Sequence, residues 1–321
     1  MKSTPLLDPA RRCAWLHRTG AAFILLLIAV CVQLPAHAAR EAIASTHPLA
    51  TQAGMKILSQ GGNAFDAAVA VASTLAVVEP FSSGLGGGGF FLLHRNSDGF
   101  EVMLDAREIA PGKARPDMYL GSDGQLDTKS SLEGAKAAAI PGLPAALPWL
   151  ARKYGRLPLA TVLAPAIAFA RDGFATDARF TSVIGSRQEM LKASAQLAEV
   201  FLDHNAAPAT GFVVRQPNLA RTLEAIAKQG EAGFYRGDVA RRLVSAVQAA
   251  GGIWAVEDLE RYKIVERKPE RFTYRGATIT CAALPSAGGL ALAQSLQILE
   301  RYPLAQLSRV DRTHLIAEAL R

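Results

Sequence analysis

Four consecutive glycines, Gly86 to Gly89, limit the fold of this chain more tightly than any other stretch. They follow Glu79-Pro80-Phe81-Ser82-Ser83-Gly84-Leu85 and open onto Phe90-Phe91-Leu92-Leu93. After a turn at Asn96 to Gly99 the chain continues Phe100-Glu101-Val102-Met103-Leu104-Asp105-Ala106-Arg107. A glycine run has no side-chain chemistry and costs backbone entropy. It is tolerated where φ is positive or where another backbone comes very close. Two uses stay open on this ground, a tight packing corner and a loop around a ligand.

The surrounding order excludes the familiar phosphate cradles. No Gly-Lys-Ser/Thr follows the run, so it is not a P-loop. Gly84, Gly86 and Gly89 match the spacing of a dinucleotide fingerprint, but the loop follows a helix and opens a strand. The nucleotide motif needs the reverse order, so that a helix N-terminus points at the pyrophosphate. His47, His94, His204 and His314 are scattered, which gives metal binding little support. No Gly-x-Ser-x-Gly elbow appears, and Ser82-Ser83 have no assignable activating base. No cofactor is expected.

Arg107 is the strongest single candidate. It leaves an apolar strand just past the glycine loop, and its guanidinium can grip a carboxylate through two parallel hydrogen bonds. The other use is an ion pair with Glu108 or Asp105.

The first residues are read as an export signal. Lys2, Arg11, Arg12 and Arg18 precede the apolar run Ala21 to Val32, and Ala36-His37-Ala38 fits a small-x-small cleavage site. That places a signal peptide at residues 1–38, one domain at 39–321, and a periplasmic or secreted product. The run is shorter than a membrane span of about 20 residues. An uncleaved anchor is the alternative, and membrane contact is expected only through this leader. Removing the four leader cations and Asp8 takes the formal charge from +7 to +4. No basic run with interleaved aromatics remains, so no nucleic acid is expected. Cys281 is then the sole cysteine, which rules out an intrachain disulfide in an oxidising compartment.

Along the chain, Pro48 opens a helix that Gly61-Gly62 ends, and Asn63 caps a helix over Ala64 to Val78. That helix is apolar almost all round and reads as buried. Phe90 to His94 and Phe100 to Asp105 read as paired strands, and the unbroken apolar run of the first predicts cover on both faces. Helices are predicted over Leu143 to Tyr154, Leu159 to Arg171, from an Asn218 cap to Gln229, and over Asp238 to Ala250. Arg271 to Tyr274 and Ala277 to Cys281 alternate as a hairpin. Helices follow over Leu290 to Arg301 and Asp311 to Arg321. The last carries an apolar stripe, Leu315, Ile316, Ala319 and Leu320, still running at the final residue. An amino-terminal portion of a larger fold is therefore expected, with a docked terminal helix as the alternative.

These stretches together resemble the large subunit of the γ-glutamyltransferases, members of the N-terminal-nucleophile hydrolases. The resemblance rests on His47-Pro48-Leu49-Ala50, Gly61 to Ala68, Glu79 to Phe90 and Leu104 to Pro111. Pro141-Gly142, Ala170 to Phe174, Gly233-Phe234-Tyr235 and Pro285 to Gly289 continue it in the family's order. It implies an α+β fold, the amino-terminal part of an αββα sandwich built from two pieces of one proenzyme. It implies that a threonine attacks a γ-glutamyl amide and forms a γ-glutamyl ester, which water or an amine then resolves. Glutathione is the implied donor, and Arg107 matches the arginine that holds the donor's α-carboxylate.

The departures are specific. The family's Thr-led cleavage point matches nothing in residues 1–321, and neither Thr46-His47 nor Thr313-His314 stands in for it. No catalytic residue is therefore assigned, and a small subunit or carboxy-terminal half is the expected partner. The chain alone is expected to be inactive. An aromatic residue of the family is replaced by Ala106 and a second serine by Ala287. A non-catalytic exported glutamyl- or peptide-binding module, or an acylase of other amides, remains an alternative.

Overall fold

The computed structural model describes residues 41–321, so the leader expected at 1–38 lies outside the described residues. From Ile43 to Arg321 the chain clusters as one unit, and its organisation begins with two helices whose starts are written locally. In α1, Pro48–Ser59, Pro48 takes the first turn and the His47 ring caps it, Nδ1 accepting from Leu49 N–H at 3.1 Å. In α2, Ala64–Val78, Asn63 Oδ1 accepts from Phe65 and Asp66 N–H at 2.9 and 3.0 Å. Asp66 Oδ2 accepts in return from Asn63 N–H at 2.9 Å, completing a reciprocal capping box.

The Asn63 amide also donates to Tyr154 C=O at 2.7 Å, and the fully buried Asp66 also accepts from Arg156 N–H at 2.9 Å. Asn63→Ala is therefore expected to cost about 1–2 kcal/mol, the upper range of a lost cap. A thermal melt should show a fall of a few degrees, since 1 kcal/mol moves a domain this size by roughly 2–4 °C.

α2 is buried along most of its length, as its composition predicts. It does not lead straight into the glycines. Pro80–Ser83 adds a helical turn, with Glu79 C=O accepting from Ser82 and Ser83 N–H.

Strand β1, Gly89–Arg95, pairs antiparallel with β2, Phe100–Ala106, in a register that sets Phe91 opposite Leu104. β2 pairs on its other side with β3, Val265–Arg267, through Leu104 opposite Glu266. The described order β1-β2-β3 makes β2 central and β1 an edge. This corrects one expectation: β1 is not covered on both faces. Leu93 is buried but Leu92 is 44% exposed, whereas Val102 to Ala106 of β2 are all buried. Hydrophobicity along one strand does not reveal which strand has neighbours on both edges.

Two further helices, α3 (Leu143–Tyr154) and α4 (Leu159–Asp172), pack with α2, and α3 also lies on β2. Three short helices, Ala178–Ser186, Gln188–Lys192 and Ala195–Phe201, follow; Asp177 caps the first and Ser194 the third, two sequence signals absent from the expectations above. Helix α5, Pro217–Gln229, is capped differently from the expectation. Asn218 lies inside its first turn and bonds Arg221, while the residue before the helix is Gln216. The Gln216 side chain reaches instead to Val77 C=O at 2.8 Å, tying α5 to the end of α2.

Helix α6, Gly237–Ala249, precedes β3, and the hairpin β4 (Glu270–Tyr274) with β5 (Ala277–Cys281) follows it. Helices α7, Ala287–Glu300, and α8, Arg309–Leu320, pack as a pair, joined by Ser295 Oγ donating to Ala319 C=O at 3.0 Å. Of the terminal stripe only Ala319 is buried, and Leu320 is 72% exposed.

Candidate functional site

The glycine run is held by backbone, and its four positions are not equivalent. None of the four has a positive φ. A Cβ on Gly88 would lie 2.3 Å from Ala106 C=O and 3.0 Å from Arg107 Cα and Glu108 N, so close approach is the reason for glycine there. A Cβ on Gly86 or Gly89 would meet nothing within 4 Å. Gly87 C=O accepts from Gly142 and Leu143 N–H at 2.9 and 3.0 Å and thereby caps α3. Gly142 is as crowded as Gly88, with a hypothetical Cβ 2.0 Å from Ala106 C=O.

These contacts fix residues 106–108. Arg107 N–H donates to Asp105 Oδ1 at 3.1 Å, and Arg107 C=O accepts from the Tyr262 hydroxyl at 2.9 Å. Tyr262 stacks on Tyr235 with ring centroids 5.3 Å apart, and the Tyr235 hydroxyl donates to Pro141 C=O at 2.7 Å. Burial pushes both phenols above their usual range, and the neighbouring carboxylates of Asp105 and Glu108 push Tyr262 the same way. Both hydroxyls therefore stay protonated donors. Asp105 is committed elsewhere, to Arg267 at 2.8 Å.

The Arg107 side chain is 55% exposed, with Nε 3.0 Å from Glu108 Oε2 and the guanidinium 5.8 Å from the Phe90 ring centroid. Of the two ion-pair partners weighed from sequence, Glu108 is the one engaged. An exposed pair of this kind contributes only about 0–1 kcal/mol. It occupies one edge of the guanidinium and leaves its terminal nitrogens for a carboxylate, so the two uses of Arg107 coexist.

Arg107 and Glu108 border a cleft of about 320 Å³ whose other walls include Ser82, Ser83, Gly88 and Gly89. The structure thus brings Arg107 together with Gly87, Gly88 and Gly89, while Gly86 faces a neighbouring cavity. Among the described residues no histidine lines the cleft, so none of them offers Ser82 or Ser83 an activating imidazole. The arrangement can recognise a carboxylate. Among the described residues neither serine of the cleft is hydrogen-bonded to a base.

Sequence reasoning missed the supports beneath this cleft. Tyr262 and Arg267 reach positions 107 and 105 across more than 150 residues of chain, as the separations of 155 and 162 show. Another buried group, Glu79, accepts from Thr46 Oγ1 at 2.6 Å and pairs with Arg179 at 2.8 Å. The Thr46 hydroxyl is thereby occupied, and that of Thr313 bonds its own helix at Arg309 C=O.

His47 sits near Glu79 and Asp177. Burial lowers its pKa, and the attraction of Asp177 and Glu79 only partly opposes that. The folded state therefore favours neutral imidazole, while the unfolded chain protonates near 6.5. Stability is full above that pH and falls as pH drops through it. His47→Asn keeps an N-cap acceptor without the titration. Its stability should be flatter between about pH 5 and 7 in denaturant titrations.

Comparison with known proteins adds a consistent set of likenesses. A family profile described as Gamma-glutamyltranspeptidase matches residues 50–321. The glutathione hydrolase proenzyme of Escherichia coli is 39% identical over 288 residues, 89% of this chain and 50% of that protein. The acylase ACY 1 proenzyme of a Pseudomonas species is 37% identical over 299 residues, 91% of this chain and 53% of that protein. The chain spans about half the length of these curated relatives. The solved gamma-glutamyltranspeptidase of Helicobacter pylori superposes with a TM-score of 0.84 at 37% identity, covering 86% of this chain and 80% of that one.

Proposed function

Because the chain belongs to the gamma-glutamyltranspeptidase family and has its N-terminal-nucleophile hydrolase fold, we propose that residues 39–321 form the donor-recognising half of a γ-glutamyl transferase or hydrolase. The observation that carries this reading is Arg107, held by its backbone at the rim of the glycine cleft with its terminal nitrogens free. Its fork takes the α-carboxylate of a γ-glutamyl donor, glutathione among them. The nucleophile is a threonine from the half of the relatives' length that these residues do not span. Its oxygen bonds to the amide carbon, the C–N bond breaks, and the amine leaves with a proton. Water or a second amine then attacks the resulting ester and releases the glutamyl group.

Two measurements test this. The purified chain alone should not hydrolyse a γ-glutamyl anilide, and joining it to the missing half should produce turnover. Turnover by the chain alone sinks the division of labour. Failure of the joined protein to use any γ-glutamyl amide sinks the substrate assignment. Export through residues 1–38 belongs to the same proposal and is read by cell fractionation. An acylase of other amides is the second reading, favoured by the 37% identity to an acylase proenzyme.

A further inference from the structure

Arg107 and Glu108 border a second space besides the glycine cleft. It is a cavity of about 740 Å³, open to solvent, within the size range of small-molecule sites. Its walls are largely apolar, with Leu85, Phe234, Leu243 and Trp254 among them, and Thr222, Arg107 and Glu108 as polar members. Leu85, Phe234 and Trp254 are 4–6% exposed, so these walls are fixed by the core. The Trp254 indole N–H is already satisfied by Ala138 C=O at 2.9 Å, leaving the ring to act as apolar surface. Among the described lining residues Arg107 is the sole cation, and Glu108 already covers its Nε edge. The space therefore matches a ligand with one negative end and one bulky apolar end. A γ-glutamyl group has a second polar end and suits the smaller cleft.

We propose that this cavity is a binding site for monocarboxylates carrying an aryl or branched alkyl group, with the carboxylate on Arg107 and the apolar group against Phe234 and Trp254. A ligand seated there excludes a γ-glutamyl donor from the cleft, because one guanidinium fork grips one carboxylate at a time. The proposal rests on the reading of Arg107 as a carboxylate grip. It deepens that reading by giving the same residue a second class of ligand.

The test is calorimetric titration of the chain with 4-phenylbutyrate and with butyrate, together with the indole emission, read against a Trp254→Phe chain because Trp149 also emits. Phenylbutyrate should bind saturably, roughly tenfold or more tighter than butyrate, because only it buries an aryl surface. Arg107→Ala should weaken it by a similar factor. Thr222 also lines the cavity, and its hydroxyl bonds only the Asn218 carbonyl of its own helix. Thr222→Phe fills the space without stranding a buried partner and should abolish the preference for phenylbutyrate. Leu243→Phe fills it from α6 and keeps the test valid should the first variant misfold. Equal affinity for the two acids overturns the proposal, as does phenylbutyrate binding that neither filling variant moves. Turnover of a γ-glutamyl anilide by the joined protein is read separately. Its failure beside selective phenylbutyrate binding sinks the donor assignment and leaves the cavity site standing.

Discussion

Arg107→Ala, measured on the chain joined to its second half, is expected to raise the KM for a γ-glutamyl anilide by about 30-fold or more. Losing a charged partner to a bound carboxylate costs about 2–5 kcal/mol, and each 1.4 kcal/mol is tenfold. Arg107→Lys should recover part of the loss, because it restores charge but not the two-pronged geometry. The folded state should hardly change. The side chain is 55% exposed, and its one ion pair, to Glu108, is of the weak surface kind. An Arg107→Ala enzyme with normal KM removes the role assigned to this residue. A large fall in its melting temperature makes that role structural.

Gly88→Ala should be the most destabilising single-methyl change in the loop. The new Cβ would sit 2.3 Å from Ala106 C=O, and its nearest neighbours are all backbone. No rotamer change relieves that contact, so β2 or the loop must move. Overpacking of this kind costs about 1–3 kcal/mol and occasionally more, and Gly88 belongs at the upper end. Melting should fall by roughly 6–12 °C at 2–4 °C per kcal/mol. Gly86→Ala is the control. It has no neighbour within 4 Å and no positive φ, so its stability should stay within about 1 kcal/mol of the parent. Equal effects at the two positions contradict the close-approach account of the run.

The local rules of the chain were readable because their partners lie a few residues apart. Asn63 announces its cap, and the Ala64–Val78 helix follows at its predicted bounds. Arg107 stood out for its place after an apolar strand, and that place proves to be a cleft rim. What depended on distant partners was not readable. The central place of β2 in the sheet is set by its pairing with β3, some 160 residues on. Gln216 caps no helix with its side chain because Val77, 139 residues away, takes it. The hydroxyl of Tyr262 and the guanidinium of Arg267 belong to the same class. The glycine run was readable as a constraint, but which glycine bears it required the neighbouring backbone.

The clamp on residues 106–108 has a consequence for how this family could diversify. Gly88, Gly142, Asp105 and Tyr262 all hold position 107 through its main chain or that of its neighbours. Its side chain is therefore an interchangeable tool in a rigid socket. A lineage could exchange the group presented there while the scaffold underneath stayed indifferent to the choice.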